Sequence, residues 1–217
     1  MPFKAVMFDM DGLLLDTERQ VVACFNQTTA DLKLENMSNV ATRLIGLRAD
    51  ACEGIIETAL NEQVPIAVFH RHWQARIKAS HARGIPLKAD VIELLERLRS
   101  MGLPCAVATS TDNMTAQKHL EMAGILHYFQ SITGGDQVEC AKPDPEIYHA
   151  AAASLGLHPH DCAAFEDSDP GTMAAIASGA CTAQIPDINP PAEKMLDLGH
   201  AIAPTLLAGA KSIGLIT

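Results

Sequence analysis

Three short apolar runs in this chain each stop abruptly at polar residues, and that repeated break narrows the available folds more than any other feature of the sequence. Residues 3–8 (FKAVMF) end at Asp9, residues 103–108 (LPCAVA) end at Thr109-Ser110-Thr111, and residues 162–165 (CAAF) end at Glu166-Asp167. Apolar runs this short suit strands buried on both faces of a parallel sheet. Helical patterns lie between and after them: residues 91–101 place Leu94, Leu95 and Leu98 on one face, and residues 146–155 do the same with Ile147, Ala150 and Ala151. Strands alternating with helices predict an α/β chain whose parallel sheet is covered on both faces. Ligands of such sheets collect beyond the carboxyl ends of the strands, so Asp9, Thr109 and Asp167 are expected to be neighbours.

The rhythm breaks between residues 17 and 82, where helical patterns at 18–32, 50–60 and 66–81 follow one another without a strand. We expect an inserted helical cap at 17–82, with residues 1–16 and 83–217 forming the core; Gly84 and Pro86 punctuate the return. A length of 217 residues accommodates one large domain with such an insertion. The net charge of -10 leaves no overall basic field for nucleic acid or anionic lipid, and neither is an expected partner. An anionic small substrate must therefore be held by local cations. Six dispersed cysteines contain no C-x-x-C pair, and we expect them reduced and mostly buried. No secretory n-region or h-region precedes residue 3 and no apolar run is long enough to span a bilayer, so the expected location is cytoplasmic. A monomer or weak dimer is expected.

The densest chemical signal is Asp9-Met10-Asp11-Gly12 directly after the first run. Two carboxylates astride the end of a strand can divide labour, one attacking phosphorus and the other, re-aimed by the turn at Gly12, moving protons. An Asp-Gly turn that merely ends a strand is the plainer reading. Thr109, with Ser110 beside it, offers donors for phosphoryl oxygens, or else a cap for the helix expected at 113–124. Lys142 lies in Ala141-Lys142-Pro143-Asp144-Pro145, where two prolines restrict the backbone around the cation. Glu166 and Asp167 beside Asp9 would repel one another unless a cation stood among them, and Mg2+ is the hard divalent ion expected of oxygen ligands.

These four segments, in this order and at these spacings, resemble the haloacid dehalogenase-like hydrolase superfamily, and within it the β-phosphoglucomutase-like phosphatase branch. The resemblance implies a Rossmann-like parallel sheet with helices on both faces and an inserted all-helical cap. It implies Asp9 as nucleophile, Asp11 as general acid and base, Thr109, Ser110 and Lys142 as phosphate ligands, and Mg2+ bound by Asp9, Asp167 and the Asp11 carbonyl, with Glu166 either a further ligand or a partner that supports the ligands from behind. The expected activity is hydrolysis of a small phosphorylated metabolite, a sugar phosphate foremost, through an aspartyl-phosphate. The second Asp favours phosphoryl transfer over dehalogenation, since a halide leaves without a proton.

Ile45-Gly46-Leu47-Arg48 is similar to the family's specificity loop, which makes Arg48, and after it Arg43, a candidate contact to the substrate. A solvated Arg is the plainer reading for both. Where the phosphosugar mutases carry a cap-linker His this chain has Val21, and where they carry a Lys before the loop Gly it has Ile45. Losing both polar groups favours a phosphatase over a mutase. A non-catalytic regulatory protein on the same fold would not need Asp9, Asp11, Lys142 and Asp167 together. His70-Arg71-His72 diverge on a helix and read as a solvated face, and Trp73 reads as cap packing.

Overall fold

A computed structural model describes residues 3–45 and 49–217, and the chain divides into two compact units, Asp16–Ile85 and Met1–Leu15 with Pro86–Thr217. The first is built from helices α1 (Thr17–Asp31), α2 (Val40–Leu44), α3 (Ala49–Leu60) and α4 (Ile66–His81). Its core gathers Phe25, Val40, Leu44, Ile56, Leu60 and Phe69, with Trp73 packed against it. The Phe25 ring meets those of Phe69 and Trp73 edge-on at 5.1 and 5.2 Å between centroids. Trp73 completes its fit by donating Nε1–H to the Val21 carbonyl at 3.3 Å. His70 stacks on Trp73, and His72 is exposed.

The second unit is a Rossmann-like α/β layer. It contains β1 (Ala5–Phe8), α5 (Val91–Ser100), β2 (Cys105–Ala108), α6 (Asn113–Met122), β3 (Ser131–Thr133), α7 (Glu146–Ser154) and β4 (Cys162–Glu166). Beyond these come α8 (Asp169–Ser178), β5 (Cys181–Gln184), α9 (Glu193–Leu196), β6 (Ala201–Ile202) and α10 (Leu206–Ser212). The strands form one sheet in the order β3-β2-β1-β4-β5-β6, and every pair is parallel. The chain order reverses beside β1, which is where doubly wound sheets open a crevice for ligands.

Small side chains let the layers approach. Ala5, Ala106, Ala108 and Ala164 of the sheet meet Ala151 and Ala152 of α7 and Ala174 and Ala175 of α8 in one buried cluster. On β1 every residue from Ala5 to Phe8 is fully buried, and Phe8 stacks on its register partner Phe165 at 5.3 Å. On α5 the buried face is Val91, Leu94, Leu95 and Leu98, with Glu93 and Arg97 paired at 2.7 Å on the wet side.

All six cysteines are free, but burial is less general than the sequence suggests: Cys24, Cys105 and Cys162 are buried while Cys140 and Cys181 are exposed. Burial pushes the Cys105 thiol up to about 12 and the Cys162 thiol up to about 11, which keeps both protonated and unreactive. Among the described residues no helix is long and apolar enough to cross a membrane.

Candidate active site

The register of β1 against β4 sets the site. Phe8 stands opposite Phe165, and the Asp9 N–H donates to the Phe165 carbonyl at 3.0 Å, so Asp9 emerges beside Glu166 and Asp167. One carboxylate oxygen from each of Asp9, Glu166 and Asp167 lies within 4.8 Å of the others, and all three residues are buried. Lys142, on the turn ahead of α7, reaches into this cluster with a side chain 7% exposed. Its ammonium donates to Asp9 Oδ1 and Glu166 Oε1 at 2.6 Å each and to the Ala108 carbonyl at 3.0 Å.

Among the described residues, the Lys142 ammonium binds two of these three carboxylates, those of Asp9 and Glu166. Burial raises the Asp9 carboxyl well above its usual range; Lys142 pulls it back, while Glu166 and Asp11 push it further up. Burial alone would lower Lys142, but the charges of Asp9 and Glu166 prevail and hold it above the usual lysine range. A buried donor set made of carboxylate oxygens fits a hard divalent cation.

Asp11 is turned away from this cluster. Gly12 takes a left-handed φ of 83°, and the N–H groups of Leu14 and Leu15 return to the Met10 carbonyl, closing a tight turn. The Asp11 carboxylate then meets the loop after β2, where Thr111 Oγ1 donates to Oδ2 at 2.7 Å and Thr109 Oγ1 lies at 3.4 Å. Thr109 is buried and tied by its own N–H to the Thr133 carbonyl of β3 at 3.0 Å. It is not the cap of α6, because Asp112 takes that place, accepting from the Thr115 N–H at 3.0 Å.

Glu166 is held on all sides. Its Oε1 accepts from Lys142 and from the Tyr148 hydroxyl at 3.0 Å. Its Oε2 accepts from the N–H groups of Asp167 and Ser168 at 3.1 and 3.2 Å and from Ser168 Oγ at 3.0 Å. Burial, then the charges of Glu166 and Asp9, keep the Tyr148 phenol protonated well above its usual range, which suits a permanent donor. Gly171, in the first turn of α8, leaves room for this carboxylate: a Cβ there would stand 1.7 Å from Oε1 and 2.3 Å from Oε2. Gly171→Ala is therefore expected to force Glu166 off several donors and to destabilise the core by about 2–3 kcal/mol, the scale of charged hydrogen bonds lost in a buried site. Urea denaturation of the variant against the parent reads this directly.

The structure thus brings Asp9, Asp11, Thr109, Lys142, Glu166 and Asp167 together. Ser110 is exposed at the edge of the group. Arg48 lies outside the described residues, and Arg43 is exposed on α2, lining a cavity of about 400 Å³ with Asn36, Ser38 and Thr58. Sequence reasoning passed over Thr111, Tyr148 and Gly171. Tyr148 carried a signal, a phenol on the apolar face of α7 six residues after Lys142; the contacts made by Gly171 carried none.

Residues 6–185 match the family model described as haloacid dehalogenase-like hydrolase. The phosphorylated carbohydrates phosphatase of Thermotoga maritima is 30% identical over 81% of this chain and 82% of its own length. The fructose-1-phosphate phosphatase YqaB of Escherichia coli is 30% identical over 82% of this chain and 93% of its own. Among solved structures, a HAD family hydrolase from Deinococcus radiodurans with bound phosphate and sodium superposes with a TM-score of 0.82 at 28% identity, covering 100% of this chain and 98% of that one.

Proposed function

This chain belongs to the haloacid dehalogenase-like hydrolases and is a phosphoric monoester hydrolase, and on that premise we propose that it is a Mg2+-dependent sugar phosphatase working through an aspartyl-phosphate on Asp9. The observation that carries this reading is the buried cluster of Asp9, Glu166 and Asp167 with one fixed ammonium beside a second, separately aimed aspartate. The sugar phosphate follows from the substrates named for the Thermotoga and Escherichia relatives.

Asp9, Asp167, Glu166 and the Asp11 carbonyl would hold the cation, whose charge, when bound, offsets that of the phosphoryl oxygens. Thr109 and Ser110 donate to those oxygens, and Lys142 adds a fixed positive charge. Asp9 attacks phosphorus, the ester P–O bond breaks, and the proton on Asp11 passes to the leaving oxygen, which departs as an alcohol. Asp11, now ionised, takes a proton from a water molecule as that water attacks the aspartyl-phosphate, releasing phosphate and restoring both carboxyl groups. Asp16–Ile85 would serve as a cap that selects the leaving group, with Arg48 and Arg43 its candidate contacts.

The test is release of free phosphate from a panel of sugar monophosphates, nucleoside monophosphates and phosphoglycolate with Mg2+ or EDTA. Hydrolysis of hexose phosphates that EDTA abolishes is expected. Isomerisation of a hexose phosphate without free phosphate would overturn the phosphatase reading in favour of a mutase, and inertness towards every ester would favour a non-catalytic protein.

The raised Asp9 carboxyl gives a second expectation. The Asp9 carboxyl is raised in the folded protein, so its contribution to stability without metal is fully present below the unfolded carboxylate pKa and is lost as pH rises through the raised value. Mg2+ should therefore stabilise the protein more at pH 8 than at pH 5. Saturation to a hundred times Kd corresponds to about 2.7 kcal/mol, and thermal melts at both pH values with and without Mg2+ measure the difference.

A further inference from the structure

We propose that Thr111 is a positioning residue, whose hydroxyl sets the plane of the Asp11 carboxylate and so the direction in which Asp11 delivers its proton. This rests on the reading of Asp11 as general acid and base. Thr109 and Thr111 both face Asp11 Oδ2, but their distances differ: 2.7 Å from Thr111 Oγ1 is a strong hydrogen bond, and 3.4 Å from Thr109 Oγ1 is at best a weak one. Thr109 Oγ1 in turn accepts from the Thr111 N–H at 3.1 Å. The two hydroxyls thus divide the work, with Thr109 free to turn to phosphoryl oxygens while Thr111 keeps hold of the acid.

Thr111 is itself held by the segment after β3, in a way that neither motif reveals. The Gly135 N–H donates to the Thr111 carbonyl at 3.0 Å. Further along the same two segments, Asp136 Oδ1 accepts from the Asn113 N–H at 2.8 Å, and Asn113 Nδ2 donates to Gln137 Oε1 at 2.9 Å and to the Ile132 carbonyl at 2.7 Å. The two segments lie backbone against backbone. A Cβ on Gly135 would stand 2.4 Å from the Ser110 carbonyl oxygen, and one on Gly134 would stand 2.3 Å from the Asn113 nitrogen. Residues 134–137 therefore act as a rigid backing for the loop that carries Thr111. Rigidity of this kind is needed where one hydrogen bond must aim a proton.

If Thr111 aims the acid, its loss must hurt in proportion to how much the leaving group needs a proton. A nitrophenolate leaves unaided; an alkoxide does not. The experiment measures kcat/KM, which reports the steps through departure of the leaving group, for p-nitrophenyl phosphate and for an alkyl ester such as glycerol phosphate. It compares the parent with Thr111→Val, Thr111→Ser and Asp11→Asn.

The ratio of aryl to alkyl kcat/KM is expected to rise about tenfold in Thr111→Val, as part of the contribution of a general acid is lost. It should return to the parental value in Thr111→Ser and rise further in Asp11→Asn. Thr111→Ala, which adds no bulk, gives the same reading should the Val variant fold poorly. An unchanged ratio in Thr111→Val and Thr111→Ala beside a raised ratio in Asp11→Asn overturns the role of Thr111 alone. An unchanged ratio in Asp11→Asn overturns the reading of Asp11, and the role of Thr111 with it.

Discussion

Asp9→Asn is expected to lose turnover by on the order of a thousandfold or more, the scale seen when a covalent nucleophile is removed, and yet to fold at least as stably as the parent when Mg2+ is absent. The two halves of this expectation have different causes. An amide oxygen does not displace an alkoxide from phosphorus, so the covalent step of the proposed route would be lost. The amide also has nearly the shape of the carboxylate but no charge, and the charge is what the apo site tolerates poorly: burial, Glu166 and Asp11 all favour the neutral form of Asp9, against the pull of Lys142. Because the folded carboxyl is raised, the penalty is absent well below the unfolded carboxylate range and grows as pH rises. Thermal melts in EDTA should therefore show the Asn variant gaining on the parent between pH 5 and pH 8. A large loss of stability at pH 8 would mean that the 2.6 Å contact to Lys142 outweighs burial.

Removing the cation should do the opposite. Lys142→Met keeps most of the volume but leaves Asp9 and Glu166 without their shared ammonium, each having accepted from it at 2.6 Å. Breaking a buried pair by deleting one partner costs about 3–5 kcal/mol, because the remaining charge stays buried and uncompensated. Lys142 is raised in the folded state, so its stabilisation is fully present below the ordinary lysine pKa, covers the neutral range, and is lost only in strong alkali. The deficit in the Met variant should shrink towards low pH, where the raised Asp9 carboxyl takes up a proton itself. Mg2+ should restore part of the stability at pH 8, since any cation in the cluster relieves the same imbalance. Activity should stay about a hundredfold down, because the parent has the ion as well, and the ion does not replace the second positive charge that Lys142 would bring to the phosphoryl oxygens. Denaturation curves with and without Mg2+, set beside kcat on one substrate, separate the two effects.

Much of this site was legible in the sequence because its residues sit where strands stop. The break from Phe8 to Asp9 and from Phe165 to Glu166-Asp167 marks both a change in polarity and the edge of the sheet, and the register brings the two breaks side by side. α4 was legible to the residue, since a long amphipathic pattern outlasts local noise. β3, β5 and β6 were not. Ser131-Ile132-Thr133 and Cys181-Thr182-Ala183-Gln184 are short and half polar, and β6 has two residues. Such strands exist because a neighbour offers its edge, not because of their own pattern. The hydrogen bond from Thr111 to Asp11 was hidden for a similar reason: it joins residues 100 apart in sequence, and the Gly134-Gly135 pair that permits it reads locally as an ordinary turn.

Leu15 and Leu87 pair as an isolated bridge, and the Lys88 N–H donates to the Leu14 carbonyl at 3.0 Å, so the chain leaves the sheet unit and rejoins it at one spot. Whatever lies between those points is, for the sheet, a loop whose two ends are already stitched together. The entropy of closing such a loop grows only with the logarithm of its length, so doubling the stretch would cost about 0.6 kcal/mol more. A change in the length of that stretch is therefore cheap for the sheet, whose strand ends at Phe8 and Phe165 keep their register.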